Sequence, residues 1–172
     1  EAFFKSNKEY HYNLEERAEE YLVSSGSMIL DKVIGGGFGA GLHRFIGANE
    51  GGKTNEALHV MLNMLHTVDN SKGLFVMAEG RLNKDIKKRS GIRFVYDPAE
   101  WDVGTCLVFE CHVMDTMVDL LRGLLRNNPD KEKFCIVIDS MDGLITKEDL
   151  EKSSSEARKV AGGALMTSDF LK

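Results

Sequence analysis

Residues 47–54 of the chain read Gly47-Ala48-Asn49-Glu50-Gly51-Gly52-Lys53-Thr54 and match the pattern G-x-x-x-x-G-K-[ST], the Walker A motif or P-loop. Its glycines let the backbone curl tightly enough for its N–H groups to face a phosphate chain. Lys53 can reach the β- and γ-phosphates, and the Thr54 hydroxyl can ligate Mg²⁺. We therefore expect these eight residues to contact a nucleotide bound with Mg²⁺.

The sequence on either side of the P-loop is the context that such a motif needs. The apolar run Leu42–Ile46 predicts the strand that should lead into it. Apolar residues then recur at helical spacing and predict a helix over Lys53–His66 with one buried face. The alternative interpretation, a glycine-rich turn with an incidental lysine, is disfavoured by this context.

Strand and helix patterns alternate along the chain, which predicts an α/β fold with a mainly parallel sheet flanked by helices. The predicted strands are Leu42–Ile46, Leu74–Ala78, Cys106–Cys111 and Phe134–Asp139. Their nearly continuous apolar content is typical of strands covered on both faces. The predicted helices are Lys53–His66, Lys84–Lys88, Met114–Arg126 and Glu156–Leu171. Residues 1–23 are expected to form an N-terminal arm, and residues 24–172 one core domain.

Two acidic residues follow predicted strands. Asp139 closes the apolar run that begins at Phe134, a Walker B pattern in which the carboxylate holds the Mg²⁺ shell beside the P-loop. Glu79 follows the second strand, at the edge of an open α/β sheet where ligands bind. It is a candidate base for the water that attacks the γ-phosphate. Spacing alone equally allows a solvated glutamate at a strand end.

The composition is that of an ordinary globular protein that works in water. Of the 172 residues, 42% are hydrophobic and 28% are charged, and the net charge is −5, so any nucleic-acid contact must be a local basic feature. No apolar run has the length of a membrane span, and no signal-peptide pattern opens the chain. Cys106, Cys111 and Cys135 are interpreted as buried reduced thiols, and His112 as packing with them rather than as a zinc ligand. These features favour a cytoplasmic protein.

Four stretches of the sequence together resemble the RecA family of recombinases, and most closely the phage UvsX recombinases. They are Ser27–Asp31 with Gly35–Gly41, Gly47–Asn55, Ala78–Glu79 with Arg89–Ile92, and Ile138–Leu144 with Lys147–Glu151. The set covers most of the predicted core domain and is far more specific than any one motif. The resemblance implies a P-loop NTPase of the RecA-like core type.

The resemblance also implies an activity and a set of roles. It implies an ATP-driven filament on single-stranded DNA that pairs homologous strands, in the bacterial host cell if the gene is carried by a phage. Lys53 and Thr54 would then bind phosphate and Mg²⁺, with Asn55 after them in the nucleotide site as in UvsX. Asp139 would order the Mg²⁺ shell. Glu79 would be the base in hydrolysis.

Partner contacts are implied in the same way. The first DNA-binding loop would be Lys152–Lys159, with Lys152, Arg158 and Lys159 as contacts to DNA phosphates. A charged, serine-rich loop that is simply solvated is an equal alternative. Phe3 and Phe4 in the arm would pack into a neighbouring subunit of the filament, or else fold back on their own core.

The chain departs from the family pattern in three places. An acid and an aromatic residue that hold adenine in the family are matched by Asn83 and Ile86, so adenine would lie on Ile86 without stacking. Glu50 places a negative charge near the phosphates unless it faces outward. A further family strand, which lies between the P-loop strand and the Walker B strand, should follow the helix near Lys172. We therefore expect a longer chain, or a second polypeptide, to complete the sheet.

Two other interpretations stay open. One is another ATPase with a RecA-like core, such as a helicase or a KaiC-like protein, which would form a hexameric ring rather than a filament. The other is a split half that binds nucleotide without turnover. The acidic charge balance slightly favours the split half. The combination of Walker A, Walker B and Glu79 favours the hydrolytic recombinase.

Overall fold

The computed structural model describes residues 21–79, 82–147 and 150, and that part of the chain contains four helices and one four-stranded sheet. The helices are α1 (Met28–Val33), α2 (Lys53–Thr67), α3 (Lys84–Ser90) and α4 (Met114–Arg126). The strands are β1 (Ser71–Met77), β2 (Arg93–Val95), β3 (Thr105–Glu110) and β4 (Lys133–Asp139). Short 3₁₀ turns lie at Pro98–Glu100 and Met141–Gly143.

The sheet has the strand order β2-β3-β1-β4, and all three pairings are parallel. This arrangement confirms the predicted α/β fold with a parallel sheet flanked by helices. At the carboxyl edge, Met77 at the end of β1 lies opposite Glu110 of β3 and Asp139 of β4. Because parallel strands end on the same side, the residues that follow β1, β3 and β4 are brought together at that edge.

Strand β1 separates two apolar layers because its side chains alternate between the two faces. Leu74 and Val76 pack with Leu107 and with Met117 of α4 in one core. Phe75, between them in sequence, packs on the other face with Leu58 of α2. Burying both faces of β1 accounts for its almost uninterrupted apolar sequence.

The helices begin and end at residues whose chemistry accounts for the boundaries. The side chains of Ser27 and Asn83 accept hydrogen bonds from the first turns of α1 and α3. Gly91 follows α3 with a φ of 72°, a left-handed conformation that glycine adopts without a steric cost. The apolar spacing of α4 places Met114, Met117 and Leu121 in the core.

The prediction of a strand over Leu42–Ile46 is wrong. These residues have no regular structure and pair with no strand among the described residues, and the side chains of Leu42 and Ile46 are exposed. The segment instead packs locally around Phe38, whose ring contacts those of His43 and Phe45. A strand exists only through backbone pairing, which no local apolar pattern guarantees.

The remaining boundaries differ by a few residues or lie outside the described chain. Strands β1, β3 and β4 and helices α2, α3 and α4 match the predictions to within three residues at each end. Helix α1 and the three-residue strand β2 were not predicted. Residues 1–20 of the predicted arm and the predicted helix Glu156–Leu171 lie outside the described residues. Val23, which was assigned to the arm, is buried and forms an isolated antiparallel β-bridge with Phe38.

No helix in the described part of the chain is long and apolar enough to cross a membrane.

Candidate functional site

The P-loop forms a tight turn that leads directly into α2. The N–H of Gly51 donates to the carbonyl oxygen of Ala48 over 3.1 Å, and Glu50 and Gly52 have left-handed φ values of 59° and 85°. A Cβ atom at Gly51 would lie 2.9 Å from that same carbonyl oxygen. The loop therefore needs glycine at this position for steric reasons.

Helix α2 begins without a side-chain cap. Gly52 precedes its first residue, and no side chain accepts from the first turn, in contrast to the capped starts of α1 and α3. The first amides of a helix have no partner within the helix, and they carry the positive end of its dipole. The start of α2 is thus suited to binding an anion such as a phosphate group.

The Lys53 ammonium group lies over the loop. Its Nζ donates to the carbonyl oxygens of Gly47 at 3.0 Å and Ala48 at 2.8 Å. Because both oxygens are neutral acceptors, the positive charge of Lys53 is not cancelled by an ion pair in this position. The ammonium charge therefore lies against the backbone of the P-loop.

The P-loop and the Walker B strand meet in one side-chain contact. The hydroxyl of Thr54 donates to Oδ2 of Asp139 over 2.8 Å, although 85 residues separate them in sequence. A hydroxyl and a carboxylate are hard oxygen donors of the kind that Mg²⁺ prefers. The pair fits Mg²⁺, and the ammonium and amides beside it fit the phosphates of ATP.

Glu79 lies beside this pair, at the end of β1. Its backbone N–H donates to the carbonyl oxygen of Asp139 at 3.2 Å, and its Oε2 accepts from the hydroxyl of Ser140 at 3.1 Å. A Cβ atom at Gly143 would collide with Cγ of Glu79. Ser140 and Gly143 therefore shape the position of the carboxylate. Gly143 was not singled out in the sequence because its proximity to β1 depends on sheet order.

His112 was interpreted from the sequence as a packing residue, and the structure places it at the site instead. Its ring is partly exposed and its Nδ1 lies 2.8 Å from the carbonyl oxygen of Ala78, next to Glu79. Cys106 and Cys111 belong to the cores on opposite faces of the sheet. No cluster of three metal-ligating side chains occurs among the described residues. No local sequence signal identifies His112, because its contact with Ala78 depends on which strands are neighbours.

A pocket of about 220 Å³ opens between α2 and α3, beside the P-loop helix. It is lined by Asn55, Leu58, His59, Ile86, Arg89 and Ser90. Two residues predicted to bind the nucleotide, Asn55 and Ile86, are therefore brought together. Asn83, the third predicted in this region, caps α3 by accepting from the N–H of Asp85 at 2.8 Å. The exposed side chain of Glu50 points away from the core.

The three cysteines are free, as predicted, and Cys106 and Cys111 are buried, whereas the Cys135 residue is half-buried. Burial raises the pKa of Cys106 to about 12, with a further contribution from Cys135, and burial raises the pKa of Cys135 to about 12 as well. Both thiols therefore stay protonated at neutral pH and have little nucleophilic character. The predicted DNA contacts Lys152, Arg158 and Lys159 lie outside the described residues.

The sequence of the chain is similar to part of a known protein. No protein-family model matches the chain. Protein RecA of Mesoplasma florum is 28% identical over 147 residues, which cover 84% of this chain and 40% of the relative. The chain thus spans about two fifths of the length of that relative. The match is a distant and partial homology to RecA, and it does not distinguish a subtype such as UvsX.

Proposed function

We propose that the chain is the ATP-hydrolysing core of a DNA recombinase of the RecA type, most similar to the UvsX recombinases. The observation that carries the proposal is the 2.8 Å contact between Thr54 and Asp139. It unites a phosphate-binding loop and a Walker B carboxylate at the carboxyl edge of a parallel sheet. The homology to RecA supports recombination as the process that this site drives.

In the proposed site each residue has a distinct task. Bound Mg²⁺ would neutralise charge on the β- and γ-phosphates of ATP. Lys53 and the amides of residues 47–52 would hold the phosphates, while Thr54 and Asp139 would supply oxygen ligands to the metal ion. Glu79, fixed by Ser140, would accept a proton from the attacking water. The adenine of ATP would lie in the pocket beside Asn55 and Ile86, with Asn83 at the start of α3.

The DNA part of the proposal concerns the segment after Walker B. Lys152, Arg158 and Lys159 would contact the phosphates of single-stranded DNA, and copies of the chain would associate into a filament on that strand. The same proposal carries the expectation of a cytoplasmic location. The net charge of −5 means that binding would depend on these few local cations rather than on the whole surface.

One observation favours a second candidate, a nucleotide-binding half without turnover. Residues 42–46 and the outer edge of β4 pair with no strand among the described residues. Each residue of β4 is only half-buried, although the strand is apolar. An apolar strand edge of this kind is normally covered or paired. In this candidate, a further stretch of polypeptide would complete the sheet before hydrolysis could occur.

The rate of ATP hydrolysis with and without single-stranded DNA separates these candidates. The recombinase proposal predicts Mg²⁺-dependent hydrolysis that DNA stimulates and that Lys53→Ala abolishes. The exposed Lys32, changed to alanine, serves as the matched control and should leave the rate unchanged. Turnover that is equal with and without DNA would contradict the recombinase. ATP binding without any turnover would favour the nucleotide-binding half. A hexameric ring in ATP would favour a helicase or a KaiC-like protein.

A further inference from the structure

His112 connects the ends of two neighbouring strands, β3 and β1, at the carboxyl edge of the sheet. It follows β3 by two residues, and its ring reaches the end of β1, where Nδ1 is 2.8 Å from the carbonyl oxygen of Ala78. A carbonyl oxygen can only accept a hydrogen bond, so Nδ1 must carry the proton and donate it. The tautomer of the neutral ring is thereby determined by its partner.

The hydrogen bond from His112 acts on the peptide unit that joins Ala78 to Glu79. The carbonyl oxygen of this unit accepts from His112, and its N–H, which belongs to Glu79, donates to the carbonyl oxygen of Asp139. The peptide unit is therefore held on one side by β3 and on the other by β4. Its orientation determines the direction in which the Glu79 side chain leaves the backbone.

The main chain of His112 makes a second connection. Its carbonyl oxygen accepts from the N–H of Ile145 at 2.9 Å, and the carbonyl oxygen of Ile145 accepts from Met114 at 2.9 Å. The segment that follows Gly143 is thus tied to the same residue that holds the Ala78–Glu79 peptide. His112 is fixed in its own backbone, which makes its ring a well-defined support for β1.

The other ring nitrogen faces an acidic side chain. Nε2 lies 3.3 Å from Oε1 of Glu110, and both side chains are more than half exposed. This contact is an ion pair only when the ring carries a second proton, and at such exposure it contributes little. The contact with Ala78, which forms in either charge state, is the one on which the inference rests.

We propose that His112 is a positioning residue, which orients the catalytic Glu79 by holding the carbonyl group of Ala78. The proposal rests on the proposed hydrolytic function of this site. His112 contacts neither the P-loop nor the Thr54–Asp139 pair by any described hydrogen bond, so its loss should impair the chemical step and spare nucleotide binding. A misplaced Glu79 carboxylate lowers kcat, whereas KM reports mainly on the contacts with the phosphates and the adenine of ATP.

The test compares three substitutions of His112 in the full chain by steady-state ATP hydrolysis. Asparagine places its Nδ2 amide donor about where the histidine has Nδ1, whereas glutamine places its donor one bond further out. His112→Ala and His112→Gln should lower kcat by roughly 10- to 100-fold with KM unchanged. His112→Asn should keep most of the kcat of the unaltered chain. The exposed His66 in α2, changed to alanine, is the matched control and should leave both constants unchanged.

The outcomes separate this inference from the function on which it rests. If the unaltered chain hydrolyses ATP and all three variants do so at the same rate, the role of His112 is overturned and the hydrolytic function stays intact. Equal losses in the glutamine and asparagine variants would also overturn it, because a merely structural role does not depend on the place of the donor. If the alanine variant does not fold, the glutamine and asparagine pair decides the question. Absence of turnover in the unaltered chain would overturn the hydrolytic function itself.

Discussion

Single contacts between residues far apart in sequence define the proposed site. Thr54 and Asp139 come from a helix start and a strand end, and the Walker B pattern that contains Asp139 is a weak signal alone. Their hydrogen bond is a fact of the fold that neither motif contains. Glu79 gains its position in the same way, from Ser140 and Asp139 on the neighbouring strand.

Gly143 offers a test of this arrangement. The change Gly143→Ala would place a methyl group against Cγ of Glu79 and within 3.0 Å of the carbonyl oxygen of Ala78, so the glutamate must move. We expect kcat for ATP hydrolysis to fall by roughly 10- to 100-fold while ATP binding is retained. Hydrolysis at the rate of the unaltered chain would show that Glu79 is not the base, or that it acts from another position.

At the scale of helices and strands, the structure distinguishes elements that sequence can predict from those that it cannot. Helices α2 and α4 and strands β1, β3 and β4 follow from local apolar periodicity and length. Strand β2 has three residues, too few for a periodic pattern. Residues 42–46 have the composition of a strand and lack a partner among the described residues, and no local signal reports whether a partner is present.

The same distinction applies to the candidate site. The proximity of the P-loop, Asp139 and Glu79 could be predicted, because the loop motif and two acidic residues after apolar strand patterns are local signals and parallel strands end at one edge. Their roles in nucleotide binding and hydrolysis stay predictions. His112 and Gly143 were not, because their contacts with the Ala78–Glu79 peptide and the Glu79 side chain depend on which strands are neighbours. Sheet order is a property of the whole fold, so residues that act across strands need the structure to be recognised.

Helix α4 contains a glycine that the fold does not require. A Cβ atom at Gly123 would meet no heavy atom within 4 Å, and glycine is the least favourable residue inside a helix apart from proline. Gly123→Ala should therefore raise the free energy of unfolding by about 0.5–1 kcal/mol in urea denaturation. The matched control is Gly91→Ala, which should lower it by about 1 kcal/mol because φ at that position is 72°. A loss of stability in the Gly123 variant would contradict the assigned environment.

At the scale of the whole molecule, Gly73 allows the central strand β1 and helix α2 to approach each other closely. A Cβ atom there would lie 3.0 Å from Cβ of Cys106 and 3.0 Å from Sδ of Met61. Gly73→Ala should lower the free energy of unfolding by roughly 1–3 kcal/mol, since an extra methyl group forces a packed core to shift. Urea denaturation measures the loss, and unchanged stability would mean that Met61 moves aside without a cost.

The buried thiols predict how stability depends on alkaline pH. In the folded chain the pKa of Cys106 is about 12, against 9.0 for the ordinary thiol, so only the unfolded chain ionises this group between those values. The contribution of the buried thiol to the free energy of unfolding is complete below pH 9. It is lost as the pH rises toward 12, at a rate of at most about 1.4 kcal/mol per pH unit. The free energy of unfolding, measured from pH 8 to 11, should therefore fall more steeply in the unaltered chain than in Cys106→Ala. Parallel curves would contradict the burial of the thiol.

The central claim is that Thr54 and Asp139 form one Mg²⁺-dependent nucleotide site with the P-loop. The most direct measurement is the affinity of the full chain for a fluorescent ATP analogue in Mg²⁺ and in EDTA, for the unaltered chain, Asp139→Asn and the exposed control Asp119→Asn. We predict that removing Mg²⁺ weakens binding by roughly tenfold or more in the unaltered chain and the control, and has a much smaller effect in Asp139→Asn. The same affinity with and without Mg²⁺, or an unchanged Mg²⁺ dependence in Asp139→Asn, would contradict the claim.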